Sequence, residues 1–159
     1  MKSHNYQATI EWSGNLGVGT SSYNEYERSH SIHIQGKPTI EASSDPSFRG
    51  DPSKHNPEEL FLSSLSSCHM LWFLHLCSVE GIVVTEYIDI AEGTMQEKKD
   101  GRGRFTEVVL SPKVTVIEER MGTKLDSIHQ KANQMCFIAK SCNFPVRHKS
   151  TYKVISDTN

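Results

Sequence analysis

The chain has 159 residues, 36% of them hydrophobic and 23% charged, too apolar for a disordered chain and too polar for a membrane protein. Folding at this length buries roughly 70% of the surface the unfolded chain exposes, so one domain over residues 1–159 can build a core without disulfides or structural metal. Seventeen basic and nineteen acidic residues give a net charge of −2, without the basic face that nucleic acid or a membrane surface demands.

The opening Met1–Trp12 is polar and lacks the apolar stretch of a secretory leader. Tyr6–Trp12 alternates as a strand, and His30–Ile34 alternates again before the turn Gln35-Gly36-Lys37-Pro38. Between them, Gly14, Gly17 and Gly19 are spaced like a phosphate loop. However, no Gly-Lys-Ser/Thr follows and strands flank the segment, so a hairpin turn is the expectation. The stretch 42–55, with Asp45-Pro46 and Gly50-Asp51-Pro52, reads as a loop long enough to carry function.

Asn56-Pro57-Glu58-Glu59 announces a helix: Asn at the cap, Pro at the first position, and acids in the first turn. Leu60–Cys77 is apolar or small almost all round, so the helix is expected inside the molecule or at a subunit interface. Ser63, Ser64, Ser66, Ser67, His69 and His75 interrupt it, which argues against a membrane span. Gly81 should end it. Residues 82–96 and 104–118 read as strands joined by an Asp-Gly hairpin turn at Lys99–Gly103, with Pro112 marking an edge, a bulge or a break. Thr123-x-x-Asp126 signals a second helix whose apolar face runs through Leu125, Ile128, Ala132, Met135, Cys136 and Ala139. Asn143–Val146 breaks it, and Thr151–Ser156 offers a last strand. The order predicts an α+β fold with two helices covering an antiparallel sheet.

Four cysteines, Cys68, Cys77, Cys136 and Cys142, are expected in a reducing cytoplasm, where thiols are catalytic, metal-bound or merely buried. Burial alone accounts for most such thiols. No Cys-x-x-Cys or Cys/His ligand spacing is present, so no metal is expected. Cys68 and His69 are neighbours on a helix, so their side chains diverge.

Asn56-Pro57-Glu58-Glu59-Leu60-Phe61 followed by Ser66-Ser67-Cys68 resembles the hallmark of the OsmC/Ohr family of thiol-dependent hydroperoxide reductases. So does the later Ala132–Cys136 segment with Phe144-Pro145-Val146. The resemblance implies an OsmC-like fold in an intertwined homodimer with active sites shared between subunits. It implies Cys68 as the peroxidatic cysteine, Cys136 as the resolving one, and a Glu-Arg pair that activates the first. Organic hydroperoxides would be the substrates in oxidative-stress defence, with a lipoylated protein or another dithiol as reductant and no cofactor. In much of the family a Cys-Pro opens the second motif, whereas Phe137 follows Cys136 here. The resemblance points to Glu58 and Arg49 as the activating pair, with Arg28 as the alternative arginine. Leu71, Trp72 and Phe137 would make the surroundings apolar and favour a lipophilic peroxide. His69 is read either as an acid for the leaving group or as a satisfied core histidine. The competing functions are an apolar-ligand binder without turnover and a general thiol–disulfide oxidoreductase.

Overall fold

The alternation at either end of the glycine-rich segment becomes strands β1 (Thr9–Trp12) and β2 (His30–His33) in the computed structural model, which describes residues 2–155. β1 and β2 pair antiparallel, Thr9 opposite His33 and Trp12 opposite His30, and β3 (Ile40–Ala42) adds to β2. The glycines serve a turn, as their context predicts. Asn15 Oδ1 accepts from both Gly17 N and Gly19 N at 2.9 Å, with both glycines at positive φ. The chain divides at Phe61/Leu62 into two compact units, and the first consists of these strands, the loop after them and the start of a helix.

That loop carries a short 3-10 turn at Pro46–Phe48, capped by Asp45 Oδ1 accepting from Ser47 N at 2.7 Å. Arg49 ends the turn at φ 64, the one non-glycine residue at positive φ among the described residues. Gly50 follows where a Cβ would lie 1.6 Å from Ser44 O, so the loop closes only around glycine.

Helix α1 (Pro57–Val79) begins as its sequence predicts. Asn56 Oδ1 accepts from Glu59 N at 2.9 Å, and Glu59 Oε2 accepts from Asn56 N at 3.2 Å. Gly81 at φ 67 closes it, with Ile82 N donating to Cys77 O and Gly81 N to Ser78 O. The helix is long and apolar enough to cross a membrane, but a core helix of this length passes the same test. Leu65, His69, Phe73, Leu76 and Cys77 are buried. On the opposite side Ser63, Ser67 and Leu71 are exposed, Leu71 at 63%, so the helix is not enclosed all round by its own chain. Between its first and last turns, one stripe of α1, through Ser63, Ser67, Leu71 and His75, stays exposed within one chain.

In the second unit the two predicted strands each divide. The first becomes β4 (Val84–Asp89) and β5 (Glu92–Glu97), the second β6 (Gly103–Leu110) and β7 (Pro112–Val116). Both divide at the same level. Ser111 N donates to Asp89 Oδ1 at 2.6 Å, and Pro112, which has no N–H, opens β7. β4 pairs with β7 and β5 with β6, so one long hairpin feeds two sheets. β8 (Val146–His148) joins β6 and β9 (Thr151–Val154) joins β7, both parallel, which makes these sheets mixed. The predicted end of the last strand at Ser156 lies outside the described residues.

The predicted second helix is three pieces: α2 (Glu119–Gly122), α3 (Leu125–Met135) and α4 (Phe137–Lys140). Thr123 does not cap it, because its hydroxyl donates to Arg120 O at 3.1 Å. α3 buries Leu125, Ile128, His129 and Ala132, one stripe at helical spacing, while Met135 is exposed. The core joins Phe73, Leu76 and Cys77 of α1 to Val114 and Val116 of β7 and to Leu125, Ile128 and Ala132 of α3. The fold is α+β.

Candidate active site

Cys68 lies mid-way along α1, half-buried, and Cys136 lies buried at the break between α3 and α4. Cys136 is not on a continuous helical face as its spacing suggests. Its backbone turns extended (φ −66, ψ 111), and its Sγ accepts from Ala139 N at 3.4 Å, so the sulfur caps α4. The break aims Sγ at α1, where it meets Cys68. Burial first, then the hydrogen bond to Cys68, push the Cys136 thiol up to about 11, against the Ala139 N–H that pulls it down. Cys136 therefore keeps its proton at neutral pH.

One turn beyond Cys68, Trp72 sets its ring edge-to-face against Phe137, 5.7 Å between centroids, and Phe137 directly follows Cys136. Phe137 is 71% exposed. The cysteine pair thus has an apolar lip formed by residues from both helices. The other two cysteines are elsewhere. Cys77 belongs to the core and burial pushes its thiol up to about 12, while Cys142 donates its S–H to Ile138 O at 3.2 Å. Neither is a nucleophile in these surroundings.

Glu58, Arg49 and Arg28 lie in the first unit. Glu58 is half-buried in the first turn of α1, and the capping box is made by Glu59. Glu58 is therefore not engaged in closing its own helix end. Arg49 is exposed at the tip of its loop, in the left-handed conformation that costs a non-glycine residue roughly 1 kcal/mol or more. Arg28 contrasts with it. Its guanidinium donates to Tyr26 O at 2.5 Å and Tyr23 O at 2.8 Å and lies over both tyrosine rings, 4.2 and 4.1 Å from their centroids. Arg28 is spent on its own loop and Arg49 is not.

His69 is a buried core histidine satisfied at one nitrogen only: its Nε2 lies 2.9 Å from His129 Nδ1, while its Nδ1 has no hydrogen-bond partner. Sequence reasoning missed His129 and His148, which gather around it. The one available signal was His129 sitting on the apolar stripe between Ile128 and Ala132. Among the described residues no group of three His, Cys, Asp or Glu side chains is arranged to hold a metal ion.

Residues 50–151 match the family described as OsmC-like protein. An OsmC-like protein of unknown function from Vibrio cholerae shares the fold at TM-score 0.83 and 30% identity, over 94% of this chain and 100% of that one. The organic hydroperoxide resistance protein of Elizabethkingia anophelis, solved with thiocyanate bound, aligns at TM-score 0.69 and 17% identity over 97% of this chain and 99% of its own. The organic hydroperoxide resistance protein of Bacillus subtilis does so at 0.60 and 15%, over 94% and 98%. These two show likeness of fold. No curated protein matches the chain.

Proposed function

The chain belongs to the OsmC-like family, and on that premise we propose that it is a cysteine-based peroxidase that reduces organic hydroperoxides to alcohols. The observation that carries this reading is the meeting of Cys68 and Cys136, brought from α1 and the α3–α4 break close enough for Cys68 to act on the Cys136 thiol.

The chemistry follows from that pair. A Cys68 thiolate attacks the distal oxygen of ROOH; the O–O bond breaks, and the alkoxide takes a proton and leaves as ROH. Cys68 is oxidised to a sulfenic acid. Cys136 then displaces its oxygen as water, forming a Cys68–Cys136 disulfide and preventing overoxidation. A dithiol, such as a lipoyl group on a carrier protein, restores both thiols by exchange and is itself oxidised. The Trp72–Phe137 lip favours a lipophilic peroxide over hydrogen peroxide. Arg49 is the activating cation, since a guanidinium stays charged and its planar fork bridges thiolate and carboxylate.

The site is shared between two copies of the chain. Glu58 and Cys68 are ten residues apart on one continuous helix, about 15 Å along its axis, so one guanidinium cannot bridge both in the same chain. The exposed Ser63, Ser67 and Leu71 stripe offers small residues for a second helix to approach. The enzyme works in the reducing cytoplasm, where all four thiols stay free.

Steady-state turnover with dihydrolipoamide tests this. Cumene hydroperoxide should be reduced faster than hydrogen peroxide, and Cys68→Ser should consume neither. Full activity in that variant sinks the mechanism, and tight apolar-ligand binding without turnover makes the protein a binder. Peroxide without reductant should give a Cys68–Cys136 disulfide by mass spectrometry; a Cys136–Cys142 bond counts against Cys136 as resolver. Mixing Glu58→Ala with Cys68→Ser should restore activity through subunit exchange. No complementation after confirmed exchange removes the shared site.

A further inference from the structure

Three imidazoles from three elements meet behind the cysteine pair. His69 of α1 and His129 of α3 are 1% and 0% exposed, their rings parallel within 2°, with His69 Nε2 2.9 Å from His129 Nδ1. His148 of β8 lies with its centroid 5.7 Å from His69 and 5.6 Å from His129. Phe73 stacks on the far side of His129 at 4.0 Å. The facing nitrogens are used on each other, so this is no metal site. The outward nitrogens, His69 Nδ1 and His129 Nε2, are buried without a hydrogen-bond partner. Whichever ring donates the central bond, one of these two is left as the sole free proton acceptor.

The location gives the arrangement its use. His69 directly follows Cys68 on α1, and His129 precedes Cys136 by seven residues, two turns, on α3. The bond between the rings therefore joins the same two helices that bring the two sulfurs together. We propose that the His69–His129 pair, backed by His148, is a positioning clamp that holds Cys68 against Cys136 and that acid releases. One proton on a free outward nitrogen puts a charge into a buried, apolar site. A second leaves two N–H groups facing each other with no acceptor between them. Opening α3 away from α1 relieves both by exposing the rings to water.

The charged and titratable groups around the clamp do not offset this. Asp126 of α3 acts on His148 and raises it, but burial outweighs it and holds His148 low. Tyr87 of β4, tilted against Phe73, has a buried hydroxyl with no partner and no charge to lend near neutrality. Burial first, with His148 second, lowers His69 to about 4. Burial, then His69 and His148, lowers His129 to about 3. In the open form each ring regains an ordinary value near 6.5. From pH 7.5 to pH 5.5 the open-to-closed ratio should therefore rise about tenfold per histidine.

Consequences for turnover rest on the peroxidase reading; the clamp itself is measured without peroxide. Amide hydrogen exchange on the fully reduced protein at pH 7.5 and 5.5, corrected for intrinsic rates, reports the opening directly. Protection across α3, including Cys136 N bonded to Ala132 O, should fall about a hundredfold and stay below that of the β4–β7 ladder at both pH values. In the variant His69→Gln with His129→Asn, whose amides keep a hydrogen bond at the facing positions and do not titrate, the fall in α3 should shrink to tenfold or less. Equal protection in both regions, an unchanged α3, or the full wild-type fall in the variant overturns the clamp. Should the variant not fold, the wild-type contrast between α3 and the β4–β7 ladder decides alone. A protein that fails to reduce peroxide yet shows this contrast keeps the clamp and loses the peroxidase reading.

Discussion

Cys68 and His69 are adjacent on α1, yet they face different chemistries. Cys68 is half-buried, meets a second sulfur and sits beside an aromatic lip open to solvent. His69 is buried at 1% exposure and meets a second imidazole, His129, which stacks on Phe73. The 100° step between neighbours on a helix is enough to place a half-buried thiol on one side and a buried imidazole behind it. The lesson is that α1 works as a partition: one stripe makes the core rigid, and the adjacent stripe uses that rigidity to hold a thiol.

The largest test of the partition removes one thiol from each side. On the proposed peroxidase reading, Cys68→Ser should lower peroxide turnover to background, since that reading makes Cys68 the nucleophile. Cys77→Ser, in the core stripe, should keep turnover per folded molecule within about twofold and cost about 1–3 kcal/mol of stability by burying a hydroxyl. Denaturant midpoints beside steady-state rates separate the two; equal rate losses would erase the distinction.

Acid acts next, and on the buried side. The folded values of His69 and His129, about 4 and about 3, lie below the ordinary 6.5. Folding favours their neutral forms, so their effect is absent above pH ~6.5. As the pH falls below that, the unfolded chain binds protons that the folded chain refuses. Stability is then lost down to about pH 4 for His69 and about pH 3 for His129. At pH 5 the loss should be about 1–2 kcal/mol for each histidine, read from urea midpoints at pH 7.5 and 5. A flat profile would put water or a counter-charge beside the rings.

The lip on the other side should matter less. Trp72→Ala should lower kcat/KM for cumene hydroperoxide about tenfold, with hydrogen peroxide changed by less than about threefold, because only the larger substrate loses apolar contact. An equal loss for both peroxides would assign Trp72 to packing the cysteine helices rather than to the substrate.

What the sequence disclosed and what it hid follow the range of each interaction. α1 was legible at both ends because its signals are local: Asn56 and Glu59 cap each other, and Gly81 supplies the left-handed stop. The α3–α4 break at Cys136 was not, since no Pro or Gly marks it and the interruption is made by Ala139 N turning onto Sγ. β8 was hidden because three residues carry too little pattern and its pairing is with β6, far along the chain. The nearness of Cys68 to Cys136 was suggested only through family resemblance, as 68 residues separate them and spacing says nothing at that range. The histidine stack had the same difficulty without a family motif to point at it.

The smallest effect concerns Arg49, where strain and function pull apart. At φ 64 a side-chain-bearing residue is disfavoured, and glycine is the residue that relieves this. Arg49→Gly should therefore leave stability unchanged or raise it by about 0.5 kcal/mol, the relief being partly offset by the greater freedom glycine gives the unfolded chain. Arg28→Ala should do the opposite, because that guanidinium ties two carbonyls and two tyrosine rings of its own loop. If Arg49 activates the thiolate, the glycine variant is as stable as the wild type and yet loses turnover. Arg49→Lys keeps the strain and the charge but not the fork, and should recover only part of the rate. A glycine variant both stable and fully active would show that the strain at Arg49 serves the turn alone, and the search for the activating cation would move to another residue.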